Sequence, residues 1–326
     1  MIMKKQTKLF ETIKRKVFGP NKWVEEVSSV LHMSHASVYR RERGEVPLDM
    51  EQVGMLSDHF EIDLAEIFHG QGEYVHFRYL DVDVNNMENY RNYINGIIRS
   101  MVETRSAMKR EIIFCADDIP IFHLMAFPDL TYFKLYVWSQ WMGNIDHQMQ
   151  FEEFVYQMKR NDIEPLFSEL KKEYESVSSR EIWTENTVDP FLRLLDYYEN
   201  IGSFSDPGSL GKLLDQLESL REKLEKYTIE KEKGEGASFE LYITPLDFGS
   251  SQMVSMFNER SVTSIKLYTI NSIMTSDLRF QESNLRVIKG VLSKSTCLSH
   301  TSERERVQFF KGFQSKIDQL RNKLKV

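Results

Sequence analysis

WVEEVSSVLHMSHASVYRRERGEVPLDMEQVGMLSDHFEIDLAEIF, residues 23–68, is the stretch whose periodicity decides how the start of this chain folds. Trp23, Val24, Val27, Val30 and Leu31 recur at three- and four-residue spacing, which puts them on one face of a helix. His32 and Met33 make a turn. Ser34 suits the N-cap of a second helix running through Arg41, because its hydroxyl can accept a hydrogen bond from an otherwise orphaned amide. Gly44 supports the helix exit and Pro47 stiffens the corner after it. Asp49 and Gln52 then spell a capping box ahead of a helix carrying Val53, Leu56 and Phe60, and Asp63 with Glu66 repeats the device before Ile67 and Phe68. Glycines 70 and 72 end the run, so an all-α domain is expected over residues 1–72.

Upstream, residues 4–18 place Leu9, Phe10, Ile13 and Val17 on one face and lysines on the other. Such a basic amphipathic helix can lie on a membrane or pack on its neighbours as the first helix of the domain. Gly19-Pro20-Asn21 breaks it, and Asn21 is expected to cap the helix that follows.

The run Val27, Ser28, Ser29, Val30, Leu31, His32, Met33, Ser34, continuing without a gap to Glu42, Arg43 and Gly44, resembles the lambda repressor and Cro-like (XRE-type) helix-turn-helix family. Position 41 departs from the pattern: the family has an aliphatic residue there, and Arg41 must turn outward or snorkel. The resemblance implies that the second helix enters the major groove of double-stranded DNA with its N-terminal residues at the base edges. Ser34, His35, Ala36, Ser37 and Tyr39 are then the residues nearest the bases, with Arg40 at a base or a phosphate and Val38 facing inward. Arg43 and Lys22 are placed for phosphate, which positions a protein without reading sequence. The RRERG run also suits a solvated helix end, where cations meet the partial negative charge of the C-terminus.

Charge does not decide between these readings. The 326 residues carry a formal charge of −7, and the first 70 hold ten Lys plus Arg against eleven Asp plus Glu, a net of −1. The basic residues are nevertheless clustered as Lys4, Lys5, Lys8, then Lys14, Arg15, Lys16, then Arg40, Arg41, Arg43. Local clusters can follow a phosphate backbone while acidic faces point away. A composition 41% apolar and 28% charged is that of an ordinary globular protein. No secretory segment is expected, since Glu11 and Lys14 interrupt the apolar residues near the N-terminus. The richest apolar run, Ile112 to Phe127, contains Asp117, Asp118 and Pro120 and is too short for a bilayer, so a cytoplasmic protein with no membrane partner is expected. Cys115 and Cys297 are far apart and read as reduced, largely buried thiols. His59 and His69 have no metal-type spacing, and neither metal nor cofactor is expected.

Residues 73–326 read as a mixed α/β domain, so the chain is expected to be multidomain. YVHFRYLDVDV, from Tyr74 to Val84, alternates like a strand, and Tyr90, Ile94, Ile97, Ile98 and Met101 mark a helix. EIIFCAD at 111–117 and REIW at 180–183 read as short buried strands. The aromatic-rich stretch 121–160 reads as core and secondarily as the wall of an apolar ligand pocket. A charged helix is expected at 163–177, and Thr187 with Pro190 opens another through Phe191, Leu194, Leu195 and Tyr198. Leu210, Leu213, Leu217, Leu220, Leu224 and Tyr227 fall at heptad spacing and suit a helix pair or packing within the domain. KGEG at 233–236 reads as a flexible link within 232–237, followed by an antiparallel meander of FELYITPL, QMVSMF and SVTSIKLYTI. Helices near 282–295 and 307–320, the latter capped by Ser302 with Glu305, complete the chain. This ordering resembles the phospholipase D-like fold used as an inactive sensor in some regulators. Its catalytic His-x-Lys motif is absent, since Met125 and Met149 stand two residues after His123 and His147.

Phosphate loops, HExxH, CxxC and nucleophile-elbow motifs are missing, so no enzyme is expected. The expected function is a DNA-binding transcriptional regulator whose second domain senses a small-molecule effector or mediates assembly. A single helix-turn-helix makes too small a contact for operator affinity, so a homodimer is expected. The alternatives are a helical module that docks a protein instead of DNA, and an enzyme whose site lies near Asp117 and Asp118, two carboxylates at a strand's C-terminal end. The commoner role for such a pair ahead of Pro120 is a helix cap.

Overall fold

The computed structural model describes residues 2–17, 19, 21–62, 64–68, 75–83, 86–142, 145–234, 236–268, 270–300 and 303–324. The chain divides into two compact units, Met1–His76 and Phe77–Val326.

In the first unit the described elements are the helices α1 (Ile2–Lys16), α2 (Lys22–Val30), α3 (His35–Glu42), α4 (Met50–His59) and α5 (Leu64–Phe68). The apolar stripes converge on one core: Leu9, Phe10 and Ile13 from α1, Trp23, Val24 and Val27 from α2, Val38 from α3, Val53 and Leu56 from α4, and Ile67 from α5. Trp23 joins three of these helices, with Phe10 at 6.1 Å and Tyr39 at 5.7 Å, both edge-on. Packing of α1 on its neighbours is therefore what its apolar face does. The Asp49–Gln52 capping box forms as expected. The exit of α3 is a Schellman motif: Gly44, at φ 75°, donates its N–H to Arg41 O, and Glu45 N–H reaches back to Arg40 O. Asn21 is a correction, because it sits in the left-handed region at φ 64° and caps α2 with no side-chain hydrogen bond. Asn tolerates that conformation, so it is the backbone of Asn21 that turns the corner into α2. Asp63, His69, Gly70 and Gly72, and the side chain of Glu66, lie outside the described residues.

The second unit is mixed α/β. Its strands are β1 (Arg78–Leu80), β2 (Arg110–Cys115), β3 (Ser179–Trp183), β4 (Glu232–Gly234), β5 (Ala237–Ile243), β6 (Gln252–Phe257), β7 (Arg260–Lys266), β8 (Ser272–Thr275) and β9 (Thr296–Cys297). They form a nine-stranded sheet ordered β1-β8-β7-β6-β2-β3-β5-β4, with β9 paired to β5. The centre, β2-β3-β5, is parallel, while the β1-β8-β7-β6 side is antiparallel and joins the centre through the antiparallel β6/β2 pair. Parallel neighbours need long crossovers. The first is supplied by α7 (Ile121–Leu124), α8 (Pro128–Trp141), α9 (Phe151–Lys159) and α10 (Glu164–Glu175), the second by α11 (Asp189–Asn200) and α12 (Ser209–Glu230). With α6 (Met87–Ser106) and α14 (Glu303–Leu324) these build the main core on one face of the sheet, whereas α13 (Leu278–Leu292) covers the other. Strand β2 shows the division: Ile112 and Phe114 join the main core, Ile113 and Cys115 the layer under α13.

Several expectations change here. Among the described residues of 74–84 only Arg78–Leu80 is a strand. The FELYITPL segment is not part of a meander, because β5 crosses beyond β3 and pairs with it in parallel. Residues 232–234 are not a link but edge strand β4, tucked so closely that a Cβ added at Gly234 would lie 2.3 Å from Glu175 O. The leucine seam of α12 is buried within its own unit against α14, α8 and the sheet, so it offers no surface to a second copy. Helix α11 opens at Asp189 with Pro190 in its first turn, and Thr187 lies just ahead of it, its hydroxyl donating to Ala116 O and accepting from Thr184 N–H. The Ser302 cap lies outside the described residues.

Candidate functional site

Helix α3 presents the residues singled out by the family resemblance. Ser34 caps it, accepting from Ser37 N–H at 3.3 Å, and the Ser34 and Ser37 hydroxyls lie 3.0 Å apart. Both hydroxyls are thereby engaged with each other. Val38 is the buried residue of α3. His35, Ala36 and Arg40 are exposed along the first turns, and Lys22 is exposed at the start of α2. Tyr39 is half-buried with its ring against Trp23, so only part of it faces out.

The arginines at the exit of α3 are not bare charges. Arg43 donates to Glu45 at 2.7 Å, and Arg40 Nε lies 3.5 Å from the same carboxylate. The hydrogen bond from Arg43 holds the Glu45 carboxyl below the usual range, and Glu45 in turn raises Arg43. Arg41, the departure from the family pattern, is half-buried and donates to Gln52 Oε1 at 3.3 Å. The guanidinium thus neither swings fully outward nor displaces the core; it uses the capping residue of α4.

Three lysines of α1 are engaged too. Lys5 donates to Phe68 O at 2.5 Å, Lys16 to Phe60 O and Glu61 O, and Lys14 to Glu42. Cations at these carbonyls meet the negative ends of α4 and α5. Gln6 is buried on the same helix and binds the chain leaving α3 three times: Nε2 donates to Arg41 O at 2.6 Å and Val46 O at 2.9 Å, and Oε1 accepts from Leu48 N–H at 2.8 Å. Sequence reasoning missed Gln6, for which no local signal exists, and Glu45, whose position two residues after Arg43 could have suggested the pair.

In the second unit Asp117 and Asp118 are not a helix cap, since α7 starts from Pro120 with no side-chain cap. The Asp118 carboxylate, nearly buried, receives Lys134 Nζ at 2.5 Å and Ile119 N–H at 2.8 Å, with Lys266 Nζ 3.8 Å away. Lys266 lies 3.2 Å from Asp117, which also accepts from the Ser251 hydroxyl. Burial pushes the Asp118 carboxyl up, but the two ammonium groups outweigh it and leave its pKa below the ordinary value. Asp118 stays ionised at neutral pH.

A second buried group lies under α7. Glu181, fully buried, accepts from Tyr174 OH at 2.5 Å and Trp183 Nε1 at 2.9 Å, with His123 Nε2 at 2.8 and 3.0 Å from its two oxygens. Lys233 Nζ lies 3.4 Å from the centre of the Tyr174 ring without a hydrogen-bond partner, and burial lowers its pKa to about 7. Burial raises Glu181, yet the charges of His123 and Lys233 bring it below its ordinary value.

Comparison with protein-family models, curated proteins and solved structures finds no match to this chain. Among the described residues no group of three His, Cys, Asp or Glu side chains is placed to hold a metal, and no helix is long and apolar enough to cross a membrane.

Proposed function

We propose that the chain is a sequence-specific DNA-binding regulator in which Met1–His76 is a helix-turn-helix domain and the mixed α/β unit senses an effector or assembles the protein. The observation that supports this most is the exposure of α3. It is held on α2 through buried Val38 and left open at His35, Ala36 and Arg40, the positions a recognition helix turns toward base edges. Arg43 and Lys22 flank that face, at its exit and at the start of the preceding helix, where phosphates would run. Glu45 draws on Arg40 and Arg43, so affinity depends on DNA phosphates competing for those guanidinium groups. Two half-sites read by a homodimer compensate for one small contact. In this reading Asp118 acts as a charge partner of Lys134 and Lys266 and not as a proton shuttle.

Selection of bound duplexes from a random pool, followed by titration of the best at several salt concentrations, tests the proposal. Saturable binding that weakens steeply with salt and is lost in Arg40→Ala plus Arg43→Ala is expected. Salt-independent retention of protein partners with no duplex bound would leave the module a protein-docking surface.

A further inference from the structure

One edge of the sheet gathers more chemistry than the DNA reading uses. The carboxyl end of β2, the end of β7 and the starts of β6 and β8 meet there, where the parallel strands give way to the antiparallel ones. In open α/β sheets this is where ligands lodge. A cavity of about 490 Å³ opens at this edge, within the size range of small-molecule sites. Its lining includes Lys134, Asp118 and Lys266, and Asp117 stands 3.2 Å from Lys266 behind them, so two ammonium groups meet two carboxylates. Its walls include Trp138, Trp141 and Tyr268. Trp141 is 67% exposed and Tyr268 84% exposed. Most of the rest of α8 is buried, so the terminal tryptophan is the ring that helix leaves to solvent.

The floor is unusual for a merely structural feature. Lys134 and Asp118 are buried, and a buried ion pair is often no more stabilising than apolar residues of similar volume. Lys134 donates one hydrogen bond, to Asp118, out of three N–H groups, and its other close neighbours are the rings of Trp138 and Phe191. Lys266, 27% exposed at its side chain, is divided between Asp117 and Asp118. Among the described residues Lys134 thus has one hydrogen-bond acceptor for its three N–H groups, at the base of an aromatic-walled cleft, and Lys266 beside it is held by carboxylates at 3.2 and 3.8 Å. A second cleft, beside α14, differs: its Lys316 is already bound to Glu185 O and Asp189.

We propose that this cavity binds a small organic anion, with a carboxylate or phosphate head on Lys134 and Lys266 and a flat apolar body against Trp138, Trp141 and Tyr268. The anion supplies acceptors for the remaining lysine donors, and the exposed rings lose water against its body. Its role as an effector rests on the regulator reading; its binding does not.

Calorimetric titration of the full chain, without DNA, tests the site. The probes are 3-phenylpropionate and phenyl phosphate, with 3-phenylpropionamide and 3-phenylpropylamine as neutral and cationic counterparts. Saturable binding of at least one anion is expected, with both counterparts weaker by about tenfold or more. Which anion binds identifies the head group. Lys266→Met and Trp141→Ala should each weaken that anion by about tenfold, Trp141→Ala at an unchanged thermal midpoint. Trp141 is exposed, so its variant keeps the test valid should Lys266→Met fold poorly. No binding of either anion at about 5 mM, equal binding of the amine, or unchanged binding in Trp141→Ala would overturn the proposal. Because DNA is absent, failure here leaves the DNA reading standing, and failure of DNA binding leaves this site standing.

Discussion

Gln6→Met tests how the first unit holds its exposed helix. Methionine is nearly isosteric and keeps the packing, but it deletes the three hydrogen bonds from Gln6 to the segment leaving α3. Arg41 O keeps a bond from Gly44 N–H, so the groups that lose their partner are Val46 O and Leu48 N–H. A buried group left unsatisfied costs about 1–3 kcal/mol, and residues 46 and 48 are half-buried, which lets water lower the figure. The expected loss is about 2–4 kcal/mol, against roughly 4–11 kcal/mol for a unit of this size. Hydrogen exchange of the full chain reads this directly: amides of α1 to α4 that exchange by unit-wide opening should accelerate roughly 30- to 700-fold, while β2, β3 and β5 stay unchanged. Acceleration below about threefold would show that the Gln6 bonds contribute nothing net, and the argument from stranded groups would fail.

Glu45→Gln removes the carboxylate shared by Arg40 and Arg43, so under the DNA proposal binding should tighten several-fold and the log–log salt slope steepen by about 0.9 for each further phosphate that an arginine neutralises. A slope equal to wild type in anisotropy titrations would show that neither arginine reaches a phosphate. Lys233 carries a folded pKa of about 7 against an ordinary 10.5, so the folded state binds fewer protons between those values. Its contribution to stability therefore grows as pH rises through that window and is lost as pH falls through about 7. Urea midpoints at several pH values should show this slope in wild type and not in Lys233→Met; parallel curves would contradict the burial of a titrating lysine. Gly234→Ala sets a Cβ against Glu175 O and should cost about 1–3 kcal/mol in thermal unfolding, where a flexible link would register no change.

Much of the helical framework is legible without a structure because its signals are local. The Asp49–Gln52 box, the Ser34 cap and the Gly44 exit are each written within a few residues, and core residues of α2 and α4 follow from spacing, whereas the inward Val38 of α3 follows from the family resemblance. Strands β2 and β3 are legible for the same reason, as short buried runs between turn signals. Strand β5 is recognisable as a strand, but its alternation carries no information about its partner. The crossover through α11 and α12 delivers it to the far side of β3, and only then does the meander begin at β6.

The same limit governs the candidate sites. The helical period of residues 35–42 fixes which side chains of α3 share a face, and the helix-turn-helix resemblance indicates which face is turned outward. Tertiary structure decided what those side chains meet: Tyr39 lies against Trp23, Arg41 finds Gln52, and the chain beyond α3 is tied to Gln6 from the first helix. Asp118 likewise reads first as part of a helix cap until the fold brings Lys134 and Lys266 to it and makes it part of the lining of a cavity. A cap or a stripe is enforced by neighbours a few residues away, whereas a charge partner is chosen by strand order, and strand order is settled only when the whole sheet closes on its core.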